Sequence, residues 1–176
     1  MSKPEKYIEY YPNGQKKSEG ILRYDEKGIP VRDGKWTYWV SLGQKDKEVT
    51  YKDGKEDGLW TSWWYSSNGQ KRYEVTYKEG KEDGLATEWW PNGQKRYEKT
   101  YKEGKEDGLA TEWWENGNKY SEKTYKDGKE DGLATSWHEY GEKYREQNYS
   151  VGELISDKMW DEDGMELFLD ADGEWL

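Results

Sequence analysis

Six glutamates recur at one position of a repeating pattern: Glu19, Glu48, Glu74, Glu98, Glu122 and Glu146. Paired carboxylates can act as general acid and base, and inverting glycosidases hold theirs about 6.5–9.5 Å apart. A ladder of identical acids is more simply a set of partners for nearby Lys, Arg or backbone N–H groups, so no catalytic residue is assigned and the chain reads as non-enzymatic. His138 is the only histidine, and cysteine is absent. That excludes thiol chemistry, a histidine metal cluster and a Ser-His-Asp arrangement repeated from copy to copy. Asp161-Glu162-Asp163-Gly164 and Asp170-Ala171-Asp172-Gly173 gather acids around glycine. Their spacing misses the calcium-loop pattern, and Asp-Gly is ordinary turn chemistry. Neither a metal nor a cofactor is expected.

The residues left for recognition are aromatic and acidic. Trp39, Trp63, Trp89, Trp113 and Trp137 occupy a column that never varies, which suits a structural aromatic ladder. The neighbouring column does vary: Val40, Trp64, Trp90, Trp114, His138. A column that changes between copies is less tied to packing, and exposed aromatics in a row are enriched at binding surfaces. The near-identical copies also switch Arg96 to Tyr120 and Tyr97 to Ser121. The candidate partner-contacting residues are therefore Trp64, Trp90, Trp114, His138, Tyr97 and Tyr120. Asp161, Glu162 and Asp163 join them from the acidic C-terminal segment.

These side chains are carried by a tandem repeat. Tyr77–Thr100 and Tyr101–Thr124 differ at only four of their 24 positions. Four copies follow one another at 51–76, 77–100, 101–124 and 125–148. Residues 1–50 hold degenerate copies or a cap, and 149–176 a degenerate copy with an acidic cap, all in one continuous repeat domain. The 51–76 copy is lengthened by two residues near Ser66-Ser67. A fixed period of this size marks an array of supersecondary units. Three glycines per copy and no 3.6-residue apolar stripe leave a helix no support. Leu85–Trp90, short and bounded by Gly84 and Asn92-Gly93, reads as a strand, and Lys95–Lys102 as its return.

Asn-Gly between such runs signals a two-residue hairpin turn, with the Glu-Gly and Asp-Gly pairs linking onward. Such a turn would pair Trp90 with Lys95, Trp89 with Arg96, Thr87 with Glu98 and Leu85 with Thr100. One face would then hold Leu85, Thr87, Trp89 and Glu98; the other Trp90, Tyr97 and Tyr101. The predicted fold is all-β: an elongated single antiparallel sheet of tandem hairpins, each advancing roughly 10 Å.

Composition bounds the rest. Apolar residues make up 31%, under the roughly 45–50% of ordinary domains, yet 12 Trp and 16 Tyr argue against disorder. The net charge is −10. Residues 149–176 hold nine acids and one lysine, whereas the remainder is close to neutral. Nucleic acid and anionic lipid, which call for clustered Lys and Arg, are disfavoured. The start, MSKPEKYIEY, lacks an apolar signal-peptide region, and no 18-residue apolar run exists. A cytoplasmic protein is expected.

The pattern Y-K-x-G-K-x-D-G-L-x-T-x-W-W-x-N-G-Q-K, best kept at Tyr77–Lys95 and Tyr101–Lys119, resembles the MORN repeats in their bacterial variant (MORN type 2). That variant is often seen in YwqK-like antitoxin proteins. The similarity covers roughly residues 7–150. It implies an elongated sheet of β-hairpins, a scaffold or interaction role and, from the antitoxin members, neutralisation of a protein partner. The expected partner is a protein, one with basic groups if the acidic segment steers it. A glycan stacked on Trp64, Trp90 and Trp114, or a plain structural spacer, is the alternative. The chain is expected as a monomer or an edge-paired dimer.

Overall fold

In the computed structural model, residues 3–65 and 69–168 are described. Ser66-Ser67 and the Asp170/Asp172 pair lie outside them. The chain forms two units, Met1–Gly93 and Gln94–Leu176. Among the described residues all the regular structure is β, in open antiparallel pairing of tandem hairpins, as the repeat predicted.

The first unit contains β1 (Glu5–Tyr10), β2 (Lys16–Tyr24), β3 (Pro30–Trp39), β4 (Lys45–Lys52), β5 (Lys55–Trp63), β6 (Lys71–Lys78) and β7 (Lys81–Trp89). Each pairs with its neighbour in sequence. The second contains β8 (Lys95–Lys102), β9 (Lys105–Trp113), β10 (Lys119–Lys126), β11 (Lys129–Trp137), β12 (Lys143–Ser150), β13 (Glu153–Trp160) and the two-residue β14 (Glu166–Leu167), in the same nearest-neighbour order.

Two kinds of connection alternate, and the structure exchanges the roles that the sequence suggested for them. The tight two-residue turns are Asp53-Gly54, Glu79-Gly80, Glu103-Gly104, Asp127-Gly128 and Val151-Gly152, where both residues have positive φ. Two successive positive φ values define the turn that matches strand twist. The Asn-Gly loops are longer. In Trp114–Asn118, the Gly117 N–H donates to the Trp114 carbonyl and the Trp114 N–H to the Asn118 carbonyl. Only the glycine of this loop has positive φ. This shifts the register by one residue at the loop end: Trp113 faces Lys119, not the next residue along. Beyond that bulge the expected pairs hold, with Thr111 opposite Glu122 and Leu109 opposite Thr124. Trp64 and Trp114 thus stand outside their strands, at the start of loops. The first strand of each copy also begins earlier than Leu85–Trp90 implied, at Lys81 in that copy. It passes through Gly84 at φ 120, close to the β6–β7 bulge at Val75/Tyr77.

Both kinds of turn are tied to the next copy. The Asp57 carboxylate accepts the Glu79 N–H, Asp107 that of Asp127, and Asp131 that of Val151. The turn glycines add backbone bonds, from Gly80 to the Glu56 carbonyl and from Gly128 to that of Glu106. At the long loops the Tyr11 hydroxyl donates to the Trp39 carbonyl, the Trp64 indole to that of Trp89 and the Trp114 indole to that of Trp137. Asn13 and Asn116 donate from their side-chain amides to the following loop, at Ser41 and Glu139. A lone hairpin is marginal in water; these bonds make each copy the support of the next.

Candidate binding face

Strand alternation sends two sets of side chains to opposite faces, and the two faces behave differently. One is constant from copy to copy. Lys45, Lys71, Lys95, Lys119 and Lys143 each pair with the glutamate three residues on, Glu48, Glu74, Glu98, Glu122 and Glu146. The glutamate ladder is thus a set of lysine partners. Each ammonium also lies over the tryptophan of the next copy, at 4.7 Å for Lys45 over Trp63, 5.6 Å for Lys95 over Trp113 and 5.4 Å for Lys119 over Trp137. The invariant tryptophans therefore contact lysines, a cation–π arrangement. Two lysines hold the Glu19 carboxyl below the usual carboxylate range, Lys16 first and Lys6 second. At Glu48 burial pushes the pKa up, but Lys35 and Lys45 outweigh it and the net direction is down. Thr61, Thr87, Thr111 and Thr135 are buried, and Leu59, Leu85, Leu109 and Leu133, each mid-strand, are about half exposed.

The other face varies. Its central row in the first unit runs Tyr7, Gly20, Trp36, Val49, Trp60, Val75, Ala86, each opposite the next or joined across a bulge. Trp36, Val49 and Tyr51 form the core cluster, with Leu22, Tyr38 and Trp60 packed on it. Trp36 fits because residue 20 is glycine, where a Cβ would come within 2.3 Å of the indole. Its own N–H donates to the Ile21 carbonyl. Arg32 caps the cluster, 5.1 Å from the Trp36 ring and 5.4 Å from Tyr51. Burial and the neighbouring Tyr51 hydroxyl push the Tyr38 phenol far up.

In the second unit the equivalent row reads Lys99, Ala110, Lys123, Ala134, Gln147, Asp157. Alanines replace tryptophans, and lysines replace valines. Lys99 bonds Glu106 at 3.0 Å and approaches Glu112 at 3.5 Å. Lys123 bonds Glu130 at 2.6 Å. Arg145 grips Asp157 through Nε and Nη2, at 3.0 and 2.5 Å. Burial pulls the Lys99 and Lys123 pKa values down, but the paired glutamates outweigh it and the net direction is up. Between these residues lies a hollow of about 300 Å³ lined by Ala110, Ser121, Ser136, Lys99, Lys123 and Arg145, with Tyr120 and Tyr144 among its walls.

The residues singled out in the sequence fall in three places. Trp64, Trp90, Trp114 and His138 are half-buried. Trp64 and Trp114 latch to the next copy, Trp114 also meets Tyr120 edge-on at 4.6 Å, and His138 lies against Tyr144 at 4.6 Å. Tyr97 belongs to the variable face, under the Lys99 ammonium at 5.3 Å, while Tyr120 is exposed at the wall of the hollow. Asp161 closes its own loop, its Oδ1 accepting the Asp163 and Met165 N–H groups; Glu162 and Asp163 are exposed at the tip. The sequence reading missed Lys99, Lys123 and Arg145. The signal was available: the Val49/Val75/Lys99/Lys123 column changes from apolar to charged midway along the repeats.

Residues 6–23, 56–79, 82–103 and 106–127 match the model of the MORN repeat variant. These four segments are similar to MORN repeats. No curated protein matches the chain. The matched segments beginning at Glu56, Glu82 and Glu106 each run through one long loop and stop at the first residue of a tight turn, Glu79, Glu103 or Asp127. MORN repeats are non-catalytic modules commonly associated with protein and membrane binding. Among the described residues no helix is long and apolar enough to cross a membrane, and no group of three or more His, Asp or Glu side chains is placed to hold a metal.

Proposed function

We propose that this chain is a non-enzymatic protein-binding module and that its variable face meets the partner. One observation carries the reading: the face with the Lys–Glu–Trp pattern is the same in every copy, whereas the opposite face changes from an aromatic cluster to a charged hollow. Scaffolding needs repetition, while recognition of one partner needs a particular pattern. In its finer form the reading is of an antitoxin or immunity type, in which the bound protein is neutralised by occlusion. Glu162 and Asp163, exposed on their loop, would steer basic groups of that partner during approach. A carbohydrate reading needs free indoles in the loops, and two of them already use their N–H groups and half their surface within the fold.

A photo-crosslinking amino acid placed at Ser136, on the variable face, should trap the partner in the native host. The same group at Leu59 or Leu133 should not. Equal trapping from both faces would overturn the reading.

A further inference from the structure

We propose that a hollow in the first unit seats an acidic side chain of the partner, its carboxylate on Arg32 and an apolar neighbour against the hollow's wall. This inference rests on the protein-binding reading and names the partner's chemistry at one spot on the variable face. The hollow, of about 480 Å³, is walled by Tyr7, Leu22, Val31 and Trp36, with Arg32 and Glu9 as its charged members. These two do not balance each other. Glu9 is already engaged: Lys17 bonds it at 2.7 Å, and the Ser18 hydroxyl donates to it at 3.3 Å. Arg32 is exposed, and among the described residues no acid pairs with it. Its guanidinium lies over three rings instead, 5.1 Å from Trp36, 5.4 Å from Tyr51 and 5.9 Å from Tyr38. Its one hydrogen bond, to the Tyr51 hydroxyl, is long at 3.5 Å. The cations of the second unit's hollow differ, since each holds an acid of the chain. A guanidinium carries five N–H donors, and ring contacts consume none of them. The fork that remains matches the two oxygens of a carboxylate. The rings also fix the guanidinium beforehand, which lowers the ordering cost of binding. Arginine, tryptophan and tyrosine are the residues enriched where binding energy concentrates. On an extended segment, an apolar side chain two residues from the acid points the same way and meets the wall. A phosphate dianion would bring a second negative charge that no second cation of the lining meets. Capture of a free C-terminus uses backbone N–H groups, and in this lining the Gly54 N–H is spent on the Arg32 carbonyl.

The test uses the full chain and the capped peptide acetyl-Leu-Ser-Glu-Ser-Leu-amide, followed by side-chain N–H chemical shifts. The net charge of −10 opposes this peptide, so saturable binding reports a local site. The peptide is expected to shift the Arg32 Nε–H and the Trp36 indole N–H, while the same peptide with glutamine or lysine in place of glutamate leaves them unmoved. Arg32→Gln should weaken binding at least about tenfold, and Arg32→Lys less, with folding checked by thermal melting. Glu9→Gln supplies a sign: it removes the repelling carboxylate of the lining and should tighten binding, whereas a hollow suited to a basic group would then bind less. If Arg32→Gln does not fold, the Glu9→Gln comparison decides. Shifts elsewhere only, undiminished binding by folded Arg32→Gln, no gain with Glu9→Gln, or equal occupancy by inorganic phosphate or by a peptide whose sole carboxylate is its C-terminus would overturn the proposal. The two readings fail separately. If crosslinks still form from Ser136 while the glutamate peptide does not bind, the carboxylate site falls and the binding face stands. If crosslinking shows no preference between faces, the face reading falls whatever the peptide does.

Discussion

The two units use one backbone plan around different interiors. In the first, the central row stacks Trp36, Val49, Trp60 and Val75, and the arginine above them caps a desolvated aromatic cluster. In the second, the row of Lys99, Ala110, Lys123 and Ala134 is held by ion pairs around a hollow. Yet the aspartate ties at the tight turns, the indole latches at the long loops and the Lys–Glu–Trp face are common to both. The lesson is that the edges and the constant face carry the fold. That frees the variable face to be apolar or charged.

The largest expected effect tests whether the first unit depends on its aromatic cluster. Trp36 is 2% exposed, and Trp36→Ala should cost about 3–5 kcal/mol. In the second unit Ala110→Gly, at the equivalent place, should cost only about 0.5–1 kcal/mol. Urea denaturation of the full chain measures both. A Trp36→Ala loss no larger than that of Ala110→Gly would remove the distinction between an aromatic and a charged interior.

Charge is the matching test in the second unit. Lys99→Met leaves Glu106 without its partner and should cost about 1–3 kcal/mol near neutral pH. The pH dependence follows from the sign of the shift. The folded pKa of Lys99 is raised, as Glu106 outweighs burial. Its contribution is therefore complete below the unfolded value of about 10.4 and is lost as pH rises through the folded pKa. Lys123 behaves alike. In the first unit the raised Tyr38 phenol adds an alkaline loss of the same sign. The double variant Lys99→Met/Lys123→Met should thus lose less stability than the parent as pH rises above about 10.4, retaining the Tyr38 part. An unchanged alkaline limb would show that these ion pairs do not hold the second unit.

The period, the hairpins and the Lys–Glu pairing were legible because they depend on local pattern: Trp and Thr in alternation, glycines at fixed offsets, and opposite charges three residues apart. What escaped was decided between copies. Asn-Gly and Glu-Gly are both turn dipeptides: Asn116 bridges to the Glu139 carbonyl of the next loop, whereas the backbone at Glu103 and Asp127 takes positive φ beside glycine. Trp114 looked available because its column varies, but its N–H binds the Trp137 carbonyl. His138 and Val40 lack that indole donor, so the column can vary without disturbing the strands. The hollow needs three columns in register at once. It could be read only after the one-residue shift at the long loop was known.

A smaller effect examines what the units share. Asp57 and Asp131 each accept an N–H from the tight turn of the next copy. Asp57→Ala and Asp131→Ala should each cost about 0.5–1.5 kcal/mol, with similar values in the two units. Hydrogen exchange at the Glu79 and Val151 amides should quicken locally. A loss confined to one unit would mean that the edges do not carry the fold in common.

The smallest effect concerns the constant face, where Leu85 and Leu133 are about half exposed, at 51% and 52%. Leu85→Ser and Leu133→Ser keep the strand pairing and remove only half-exposed apolar surface, so each should change stability by no more than about 0.5 kcal/mol. Neither should alter crosslinking from Ser136, because that position belongs to the opposite face. The two leucines sit in different units but in identical surroundings, each two residues before a buried threonine, Thr87 or Thr135. Equal, small effects would therefore confirm that the constant face is indifferent to the interior behind it. If Leu85→Ser proved much more costly than Leu133→Ser, the aromatic cluster of the first unit would be felt through the sheet, and the separation of scaffold from recognition surface would fail there first.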